Sequence, residues 1–531
     1  MVAHFRIIFF AFLSLAAGIW LSELFNYHSM WFLYGTLIVF GILLVFLLLH
    51  FCFRKSKFFA YFFGIRWYLL VFALFIGVGI GLYAICEARY EVQFKPDKNI
   101  TYNVYGTVDI NYITKEKGVY FVLDDVYVSG GLNNEVALED KVFVYLYYGE
   151  DGTRYTEEEL SRILPGNRVL ISSKLSLTPI FDNDEINSFA YSSGFQYSCF
   201  TNLDAVTFIE GEMGFWDSVR EHIRNLYKQN MDEKYAGLAF SVLVGDRTEL
   251  DAEIVNNFQI SGIMHVIAVS GLNTAFIMIL LLWLLKKLRA NRYVKLIVII
   301  AVLAFYAILC DMTPSVVRSS MMSIFLITAQ LFGKQRDDLT SISLSGIILL
   351  MLYPLYVFDL SFLLSYLGVF GIFLLYKPLV RLFEKWKLKK LASPLALTIA
   401  ATLMTAPIVI NAFGYFSLIG LIANLVLVPL FGYVFMILFG VTILVLIMPF
   451  LAKLLWLLQW GFWVVDKGAM LFAAVPNAAV NLRPIPDWAL VGYYTGTFFC
   501  SQQCVAKRRL KITLISISMS VFVAGFIISF L

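Results

Sequence analysis

Long apolar runs separated by short polar loops dominate this chain. The first three runs cover residues 7–25, 31–53 and 67–86, and each approaches or exceeds the roughly 20 residues that a helix needs to cross a bilayer. The loop between the second and third runs carries Arg54, Lys55 and further basic residues, whereas the loop between the first two carries none. Because short basic loops remain in the cytoplasm, the pattern predicts a cytoplasmic N-terminus.

The hydrophobic period changes from helical to strand-like between about residues 95 and 210. Segments such as TYNVYGTVDI, GVYFVLDDVYV and KVFVYLYY alternate apolar and polar positions, and glycine and proline turns separate them. About five short strands in this length predict a small all-β barrel of the OB type. We therefore expect three transmembrane helices in residues 1–86 and an OB-like domain outside the membrane in residues 87–212.

Residues 213–244 are more polar and predict amphipathic linker helices. Trp216, Val219 and Ile223 recur at three- and four-residue steps, which gives one helix an apolar face. Such a face could lie on the membrane surface, because amphipathic helices bind at the boundary between headgroups and acyl chains.

The apolar runs return in residues 245–531, where the basic loops are again predicted to lie inside. The run at 418–449 contains Asn424 and Pro429, and we interpret it as one broken crossing because this keeps the later basic cluster inside. The whole chain then makes about eleven crossings. The predicted fold class is a polytopic α-helical membrane protein with an inserted small β barrel.

The composition agrees with a membrane protein and divides the chain by charge. Hydrophobic residues make up 60% of the 531 residues and charged residues only 15%, against about 25% in soluble domains. Residues 87–212 hold 10 basic and 21 acidic residues, a net charge of −11, and the remainder carries +15. Such barrels bind single strands with stacking aromatic rings and a basic groove, and this acidic charge opposes a polyanion. A structural role for the barrel is therefore favoured over direct nucleic-acid binding.

A polar stretch at residues 245–273 leads into the second hydrophobic part. Polar side chains at membrane depth are costly and usually face a protein interior or a water-filled path. Asp246 and Arg247 are expected to form an ion pair that orients this stretch. In the alternative interpretation, Arg247 meets a phosphate group and Asp246 positions it.

His265 and Ser270 do not have the spacing of a catalytic pair. Five residues along one helix turn two side chains about 140° apart, whereas a nucleophile and its base need hydrogen-bond contact. The chain has no Walker loop, no HExxH and no HxHxDH sequence. We therefore predict no catalytic residue, no metal ligand and no cofactor.

Asp311, Pro314 and Arg318 form a second polar group at the start of an apolar run. Asp311 or Thr313 is expected to cap a helix that has Pro314 in its first turn. Capping does not explain Arg318, which is the strongest candidate for a charge that faces a polar path through the membrane part of the chain. The alternative is that its side chain extends outwards to the membrane surface.

Other polar positions interrupt the later apolar runs. Asp359 is expected to cap its helix. Asn424 and Pro429 mark the broken helix, which membrane interiors tolerate where backbone lines a cavity. Asp466 and Lys467 are expected to neutralise each other.

The combined pattern resembles the ComEC competence family. The central domain of that family reads GDR…L…F…G..HL.A.SGLH, and Asn273 stands here where the family usually has His. The PSVVRSSMM segment continues the resemblance at Pro314, Ser315 and Arg318, and PGNRV resembles part of the family's N-terminal OB-like domain. The matching positions of the central domain are Gly245, Asp246, Arg247, Phe258, Gly262, His265, Ala268, Ser270, Gly271 and Leu272.

The resemblance implies a multi-pass inner-membrane channel that passes single-stranded DNA into the cytoplasm during natural transformation. Residues 245–531 would be the competence-type channel domain. The implied path residues are Asp246, Arg247, His265, Ser270, Asn273, Arg318 and Asn424. The residues expected to cap or gate it are Asp311, Pro314, Asp359 and Pro429.

The resemblance also implies partners. They are single-stranded DNA, membrane lipid, a DNA-receptor protein on the outer face and a cytoplasmic helicase-like ATPase that pulls the strand. Many family members continue into a C-terminal metallo-β-lactamase-like domain, and this chain is expected to be the form without it. A nuclease would then be a separate protein, and the chain itself a channel rather than an enzyme.

A different class of function fits the same polar residues. A transporter or membrane enzyme could act on a small polar or lipid-linked substrate. A strand-wide pore lined by Arg247 and Arg318 would favour the channel, and a closed, dry pocket around His265 and Ser270 would favour the alternative. A third possibility is a scaffold that recruits partners through the external barrel.

Overall fold

The computed structural model describes residues 7–24, 57–92, 94–97, 99–109, 112–115, 117–130, 135–148, 154–160, 162–182, 185–333, 337–387, 389–501 and 508–529. The crossing predicted at residues 31–53 lies outside these ranges, as do Arg54 and Lys55. Within them the chain consists of a β barrel and a large set of helices, which we call the helical body.

Five strands close into a barrel, as the alternating pattern predicted. Around the barrel the order is β1, β3, β5, β9 and β6, and β6 pairs back with β1. Strands β5 and β9 run parallel, and the other neighbours run antiparallel. The strands are β1 (Thr101–Val108), β2 (Ile113–Lys115), β3 (Gly118–Gly130), β4 (Glu135–Ala137), β5 (Lys141–Tyr147), β6 (Arg168–Leu177), β7 (Phe181–Asp182), β8 (Glu185–Ile186), β9 (Phe195–Thr201), β10 (Val206–Ile209), β11 (Tyr415–Ser417) and β12 (Ala479–Asn481).

The two-residue period fills the barrel interior. In β5, Val142, Val144 and Leu146 are fully buried, and the residues between them point outwards. Strand β1 must curve to pair with both β3 and β6, and its register shifts between Tyr105 and Thr107, at Gly106. Such an irregularity bends a strand and increases its twist, which is what closure of a small barrel requires.

The apolar runs form helices, and seven of them are long and apolar enough to cross a membrane by length and composition. These spans are Ile7–Leu24, Val71–Arg89, Arg292–Leu309, Leu360–Lys385, Ala392–Phe413, Gly420–Ile447 and Arg509–Ile528, with a shorter apolar helix at Asp338–Leu352. The α-helices within the described residues are α1 (Ile7–Leu24), α2 (Lys57–Arg89), α3 (Glu157–Leu160), α4 (Ser188–Ser193), α5 (Phe215–Asn230), α6 (Glu233–Val244), α7 (Ala252–Ile260), α8 (Gly271–Lys287), α9 (Arg292–Leu309), α10 (Pro314–Leu331), α11 (Asp338–Leu352), α12 (Leu360–Lys385), α13 (Ala392–Phe413), α14 (Gly420–Ile447), α15 (Lys453–Ala473), α16 (Asp487–Cys500) and α17 (Arg508–Ile528). The predicted total of about eleven crossings stays a prediction.

Helices α5 and α6 pack inside the helical body. Ile223 and Tyr227 of α5 are fully buried, and the Tyr227 hydroxyl lies 2.5 Å from the Thr442 hydroxyl of α14. Every residue of α6 from Tyr235 to Val244 is buried. Protein therefore covers the apolar face of α5, which the sequence alone allowed to lie on the membrane surface.

Helix α14 is continuous over 28 residues and contains Pro429. The interpretation of this run as one element agrees with the structure, whereas the predicted break does not. Proline removes one backbone hydrogen bond, and a membrane helix tolerates the loss when neighbours and small local adjustments satisfy the freed carbonyl. Pro429 itself is exposed, and its predicted gating role stays a prediction.

The barrel rests on the helical body through aromatic contacts. The Tyr191 ring of α4 lies 5.8 Å from the Tyr356 ring, in a 3₁₀ turn at Pro354–Phe358, and the Phe181 ring lies 5.7 Å from the Tyr83 ring of α2. The Ser188 hydroxyl donates to the Phe358 carbonyl at 3.4 Å. This docking places one outer face of the barrel beside the polar loop that follows α6.

Candidate functional site

The loop between α6 and α7 begins with a glycine that the geometry requires. Gly245 ends α6 with a positive φ of 99°, and a Cβ there would lie 2.9 Å from the Val269 side chain. The next residue, Asp246, accepts a hydrogen bond from the Thr248 backbone N–H at 2.9 Å and another from the Thr248 hydroxyl. Its second carboxylate oxygen lies 2.6 Å from Arg224.

The predicted ion pair between Asp246 and Arg247 is therefore wrong. Asp246 is turned towards Arg224, which also contacts Glu221 at 2.8 Å and Glu249 at 3.6 Å and lies over the Phe240 ring. The Arg224 side chain is only 7% exposed, and three carboxylates surround its charge. This cluster ties α5 to the loop after α6 and has the form of a structural charge network.

Arg247, by contrast, forms no hydrogen bond or ion pair with any residue that the structure describes, and surrounding protein lowers its pKa although much of the side chain stays exposed. It lies close enough to the barrel to interact electrostatically with Tyr120 of β3. Burial raises the pKa of the Tyr120 hydroxyl, and the Arg247 guanidinium opposes that rise. Arg247 is thus a free cation at the junction of barrel and helical body.

The same junction holds further charged groups. Lys141 of β5 lies 2.6 Å from Asp109. Burial raises the pKa of the Asp109 carboxyl, Lys141 opposes the rise, and Asp311 of the helical body adds to it. The described residues contain no group of three His, Cys, Asp or Glu side chains placed to hold a metal ion.

The three polar residues after this loop have different surroundings. His265 lies in a 3₁₀ turn at Met264–Val266, where surrounding protein lowers the pKa of its imidazole although part of the side chain stays accessible. Ser270 is the N-cap of α8, and its hydroxyl accepts a hydrogen bond from the Leu272 N–H at 3.3 Å. Asn273 is fully buried and donates to the Val242 carbonyl of α6 at 3.1 Å. Ser270 therefore caps α8, Asn273 ties α8 to α6, and of these three residues only Asn273 is fully buried.

Arg318 is the most unusual charge in the helical body. Its side chain is among the largest that are fully buried, and the residue is 2% exposed. One guanidinium nitrogen donates to the Ser315 hydroxyl at 3.2 Å, and the other terminal nitrogen, Nη1, is buried without a hydrogen-bond partner. The guanidinium carbon lies 5.3 Å from the centre of the Tyr366 ring. No described carboxylate is within ion-pair distance of it.

Hydroxyl groups continue this polar region across four helices, α8, α10, α11 and α12. The Thr274 hydroxyl of α8 lies 2.8 Å from the Ser319 hydroxyl of α10. The Tyr366 hydroxyl lies 3.3 Å from the Ser345 hydroxyl of α11, and the Tyr366 ring stacks on Phe12 of α1 at 5.1 Å. An unpaired charge and a row of hydroxyls inside an apolar bundle are expensive and point to a polar substrate or ion.

The expected caps are partly confirmed. Asp359 caps α12, since its carboxylate accepts the Phe362 N–H at 2.9 Å. Pro314 lies in the first turn of α10, but Thr313 occupies the N-cap position and makes no side-chain cap bond. Asp311 is no cap: it lies outside the helix with a positive φ of 55°, is 64% exposed and faces Arg220 at 3.4 Å.

Two expectations on the last helices also have clear outcomes. Asn424 of α14 is partly buried, and its side-chain oxygen has no hydrogen-bond partner among the described residues. Asp466 is buried but pairs with Lys234 at 3.7 Å and Tyr235 at 3.4 Å instead of Lys467, which is a correction. Consecutive residues of a helix do not face each other, so sequence adjacency was a poor guide.

The predicted path residues do not form one cluster. Arg318 shares its contacts with Ser315 and Tyr366, and it makes no hydrogen bond or ring contact with Arg247, His265 or Asn424 in the part of the chain that the structure describes. The Arg224 cluster and Tyr366 were missed, because their contacts join helices that are far apart in sequence. Of the sequence signals, the arginine at the start of an apolar run located a buried polar site, that of Arg318.

Part of the chain matches a known protein family. Residues 242–505 match the family described as "Competence protein". The chain is similar to "ComE operon protein 3" of Bacillus subtilis (strain 168), with 28% identity over 216 residues, which cover 41% of this chain and 27% of the relative. It is also similar to an "Uncharacterized protein" of Aquifex aeolicus (strain VF5), with 27% identity over 236 residues, or 44% and 54% of the two chains. The match therefore covers less than two thirds of either relative. No solved structure matches.

Proposed function

Because the chain belongs to the Competence protein family through residues 242–505, we propose that it passes single-stranded DNA across the cytoplasmic membrane during DNA uptake. The similarity to a relative named for the ComE operon supports the process. The observation that favours DNA as the substrate is Arg318, a buried guanidinium within the matched residues that has no described carboxylate at ion-pair distance.

A phosphodiester strand suits this arrangement chemically. A guanidinium presents paired donors that match phosphate oxygens, and burial strengthens the attraction because little water competes. Nη1 of Arg318 has no hydrogen-bond partner among the described residues, so a passing phosphate would satisfy it. The hydroxyls of Ser315, Ser319 and Thr274 are neutral donors that can follow the strand without binding it tightly. Conduction needs sites that are favourable enough to fill and weak enough to leave.

Arg247 would act earlier on the same route. It is exposed at the junction of barrel and helical body, where a strand arriving from outside would first meet a free cation. In this proposal the N-terminus lies inside, the barrel outside and the apolar helices within the inner membrane. Movement would depend on a DNA-receptor protein outside and a cytoplasmic helicase-like ATPase, and strand degradation on a separate nuclease.

The alternative of a small polar or lipid-linked substrate has less support. It calls for a closed, dry pocket around His265 and Ser270. The Ser270 hydroxyl is engaged in capping α8, so it is not free to bind or attack such a substrate.

Uptake of labelled duplex DNA tests the proposal. Cells that lack the protein should collect DNA at the surface but acquire no nuclease-resistant label inside, and a plasmid-borne copy should restore it. The Arg318→Ala variant should insert normally and fail to restore uptake. Arg483→Ala, which changes an exposed arginine within the same matched residues, is the matched control and should restore uptake. Unchanged uptake in the deleted cells would refute the proposal.

A further inference from the structure

A strongly basic turn joins α8 to α9, just before the candidate membrane span Arg292–Leu309. Residues 286–295 include five lysines and arginines and no aspartate or glutamate. We call this segment the basic turn. None of its five cations lies within ion-pair distance of a carboxylate in the part of the chain that the structure describes. The cations of the basic turn are Lys286, Lys287, Arg289, Arg292 and Lys295.

Aromatic rings fix the position of two of these cations. The Arg292 guanidinium carbon lies 5.0 Å from the centre of the Tyr293 ring and 5.6 Å from that of Phe332, the residue that follows α10. The two rings meet edge to face at 6.0 Å, and Arg292 also donates to the Tyr293 hydroxyl at 3.3 Å. The Lys287 ammonium lies 5.2 Å from the centre of the Trp283 ring. Ring contacts hold these cations in place but leave most of their hydrogen-bond donors free for an anion.

Exposed apolar side chains border the basic turn. Leu288, within the turn, is 67% exposed, and Ile297, in the second turn of α9, is 65% exposed. The Trp283 and Tyr293 rings are each more than half exposed. Rings of these two types concentrate where acyl chains meet headgroups, and long basic side chains beside apolar surface place their charge at the same level. The surface thus combines an apolar part with uncompensated positive charge.

The backbone at Arg289 gives an independent reason to assign a role to its charge. Arg289 has a positive φ of 52°. Its N–H donates to the Lys286 carbonyl at 3.1 Å, and the Ala290 N–H donates to the Leu285 carbonyl at 3.0 Å, a bonding pattern in which this position is usually glycine. The cytoplasmic preference of basic loops accounts for positive charge here, but not for an arginine at a glycine position or for a guanidinium packed on two rings. Strain of this kind is a reason to look for a function of the side chain.

We infer that the basic turn is a binding site for an anionic phospholipid, with the headgroup phosphate held by Arg289 and Arg292 and the acyl chains lying on Leu288 and Ile297. A guanidinium presents paired donors that match phosphate oxygens, and basic clusters at the membrane boundary attract anionic headgroups. A nucleic-acid strand offers phosphates but no acyl chains, so the apolar border favours a lipid. The inference requires that the apolar helices lie in a membrane, and it does not depend on DNA as the substrate.

Native mass spectrometry of the full-length, detergent-solubilised protein tests this inference by measuring the affinity for the first bound lipid. The probes are phosphatidylglycerol and phosphatidylcholine with identical acyl chains. The intact protein should bind phosphatidylglycerol about tenfold or more tightly, because each basic residue near an anionic headgroup contributes about 1 kcal/mol, a factor of about five. Glycerol phosphate, which has the charge but no acyl chains, should not displace the lipid.

Four variants separate the site from folding and from general surface charge. Arg289→Gly with Arg292→Gln should lose most of the preference for phosphatidylglycerol. Arg289→Gly alone should lose about fivefold in that affinity yet melt no lower than the unchanged protein, because glycine adopts the left-handed backbone without strain. Arg289→Lys keeps the charge and should keep the preference. Lys389→Gln with Lys390→Gln removes two exposed charges from another basic loop and should leave the preference unchanged.

Equal affinity of the intact protein for the two lipids would overturn the site, as would an unchanged preference in the Arg289 and Arg292 double variant. An equal loss in the Lys389 and Lys390 control would show general attraction to positive charge and would also overturn it. If an oligothymidylate displaces phosphatidylglycerol and the double variant weakens oligothymidylate binding equally, the turn binds a nucleic-acid backbone and the inference fails. None of these measurements uses DNA uptake, so failure here is distinct from failure of the proposed function.

Discussion

Two arginines are buried in the helical body, and their surroundings are opposite. Arg224 on α5 lies within 4 Å of Glu221, Asp246 and Glu249 and over the Phe240 ring. Arg318 on α10 has one hydroxyl contact, one aromatic ring and an unpartnered Nη1.

This difference distinguishes a buried charge with a structural role, at Arg224, from one with a functional role, at Arg318. Burying a charge costs several kcal/mol unless ion pairs and hydrogen bonds compensate it. At Arg224 three carboxylates within 4 Å compensate the charge, although Nε has no hydrogen-bond partner among the described residues, so a stable fold is sufficient reason for this site. At Arg318 the compensation is incomplete within the protein, and we infer that a ligand completes it. The following predictions test this comparison, from the largest expected effect to the smallest.

Arg224→Ala should cost the most stability. It leaves three partly buried carboxylates without their shared cation, and breaking a buried pair costs about 3–5 kcal/mol. Thermal unfolding of the purified, detergent-solubilised protein measures the loss, with Arg483→Ala as the control. A melting temperature equal to that of the unchanged protein would show that the cluster is not structural.

Asp246→Asn should cost less, about 1.5–3 kcal/mol, which is the range for a hydrogen bond to a charged group. Asparagine can still accept the Thr248 bonds but gives up the charge 2.6 Å from Arg224. The same unfolding measurement on Arg224→Ala with Asp246→Asn should show less than the sum of the single losses, because the two residues interact. Additive losses would mean that the two sites are independent.

Arg318→Met should leave stability unchanged or raise it by about 1 kcal/mol, because a hydrophobic side chain of similar length replaces a poorly compensated charge. DNA uptake should nevertheless be lost. Arg318→Met is thus expected to abolish uptake without destabilising the protein, whereas Arg224→Ala is expected to destabilise it. A strong loss of stability for Arg318→Met would place Arg318 in the same structural class as Arg224.

Substitution of Asp359 should have the smallest effect, and it also tests whether Arg318 acts without a carboxylate partner. Asp359→Ala should cost about 1 kcal/mol through loss of the α12 cap, and Asp359→Asn almost nothing, since asparagine caps equally well. Uptake should survive Asp359→Asn. If that variant instead loses uptake at unchanged stability, the Asp359 charge is part of the function and not only a cap.

The sequence predicted the features that depend on local pattern. The two-residue alternation gave the barrel, the long apolar runs gave candidate spans, and Asp359 was recognised as a cap because its partner Phe362 is three residues away. The missed features depend on contacts between distant elements. Arg224 precedes Asp246 by 22 residues and belongs to another element, so adjacency suggested Arg247 instead. The parallel pairing of β5 with β9 was likewise not predicted, because it joins strands that are far apart in sequence.

The most direct test of the central claim is a photocrosslink to a stalled strand. A photoreactive phenylalanine analogue would replace Tyr366, whose ring lies 5.3 Å from Arg318, and in a control it would replace Tyr433, which is 65% exposed on the outside of the helical body. Cells would take up labelled DNA whose trailing end carries a protein too large to pass. The account predicts crosslinks at position 366 and none at position 433. Uptake with no crosslink at position 366 would contradict it.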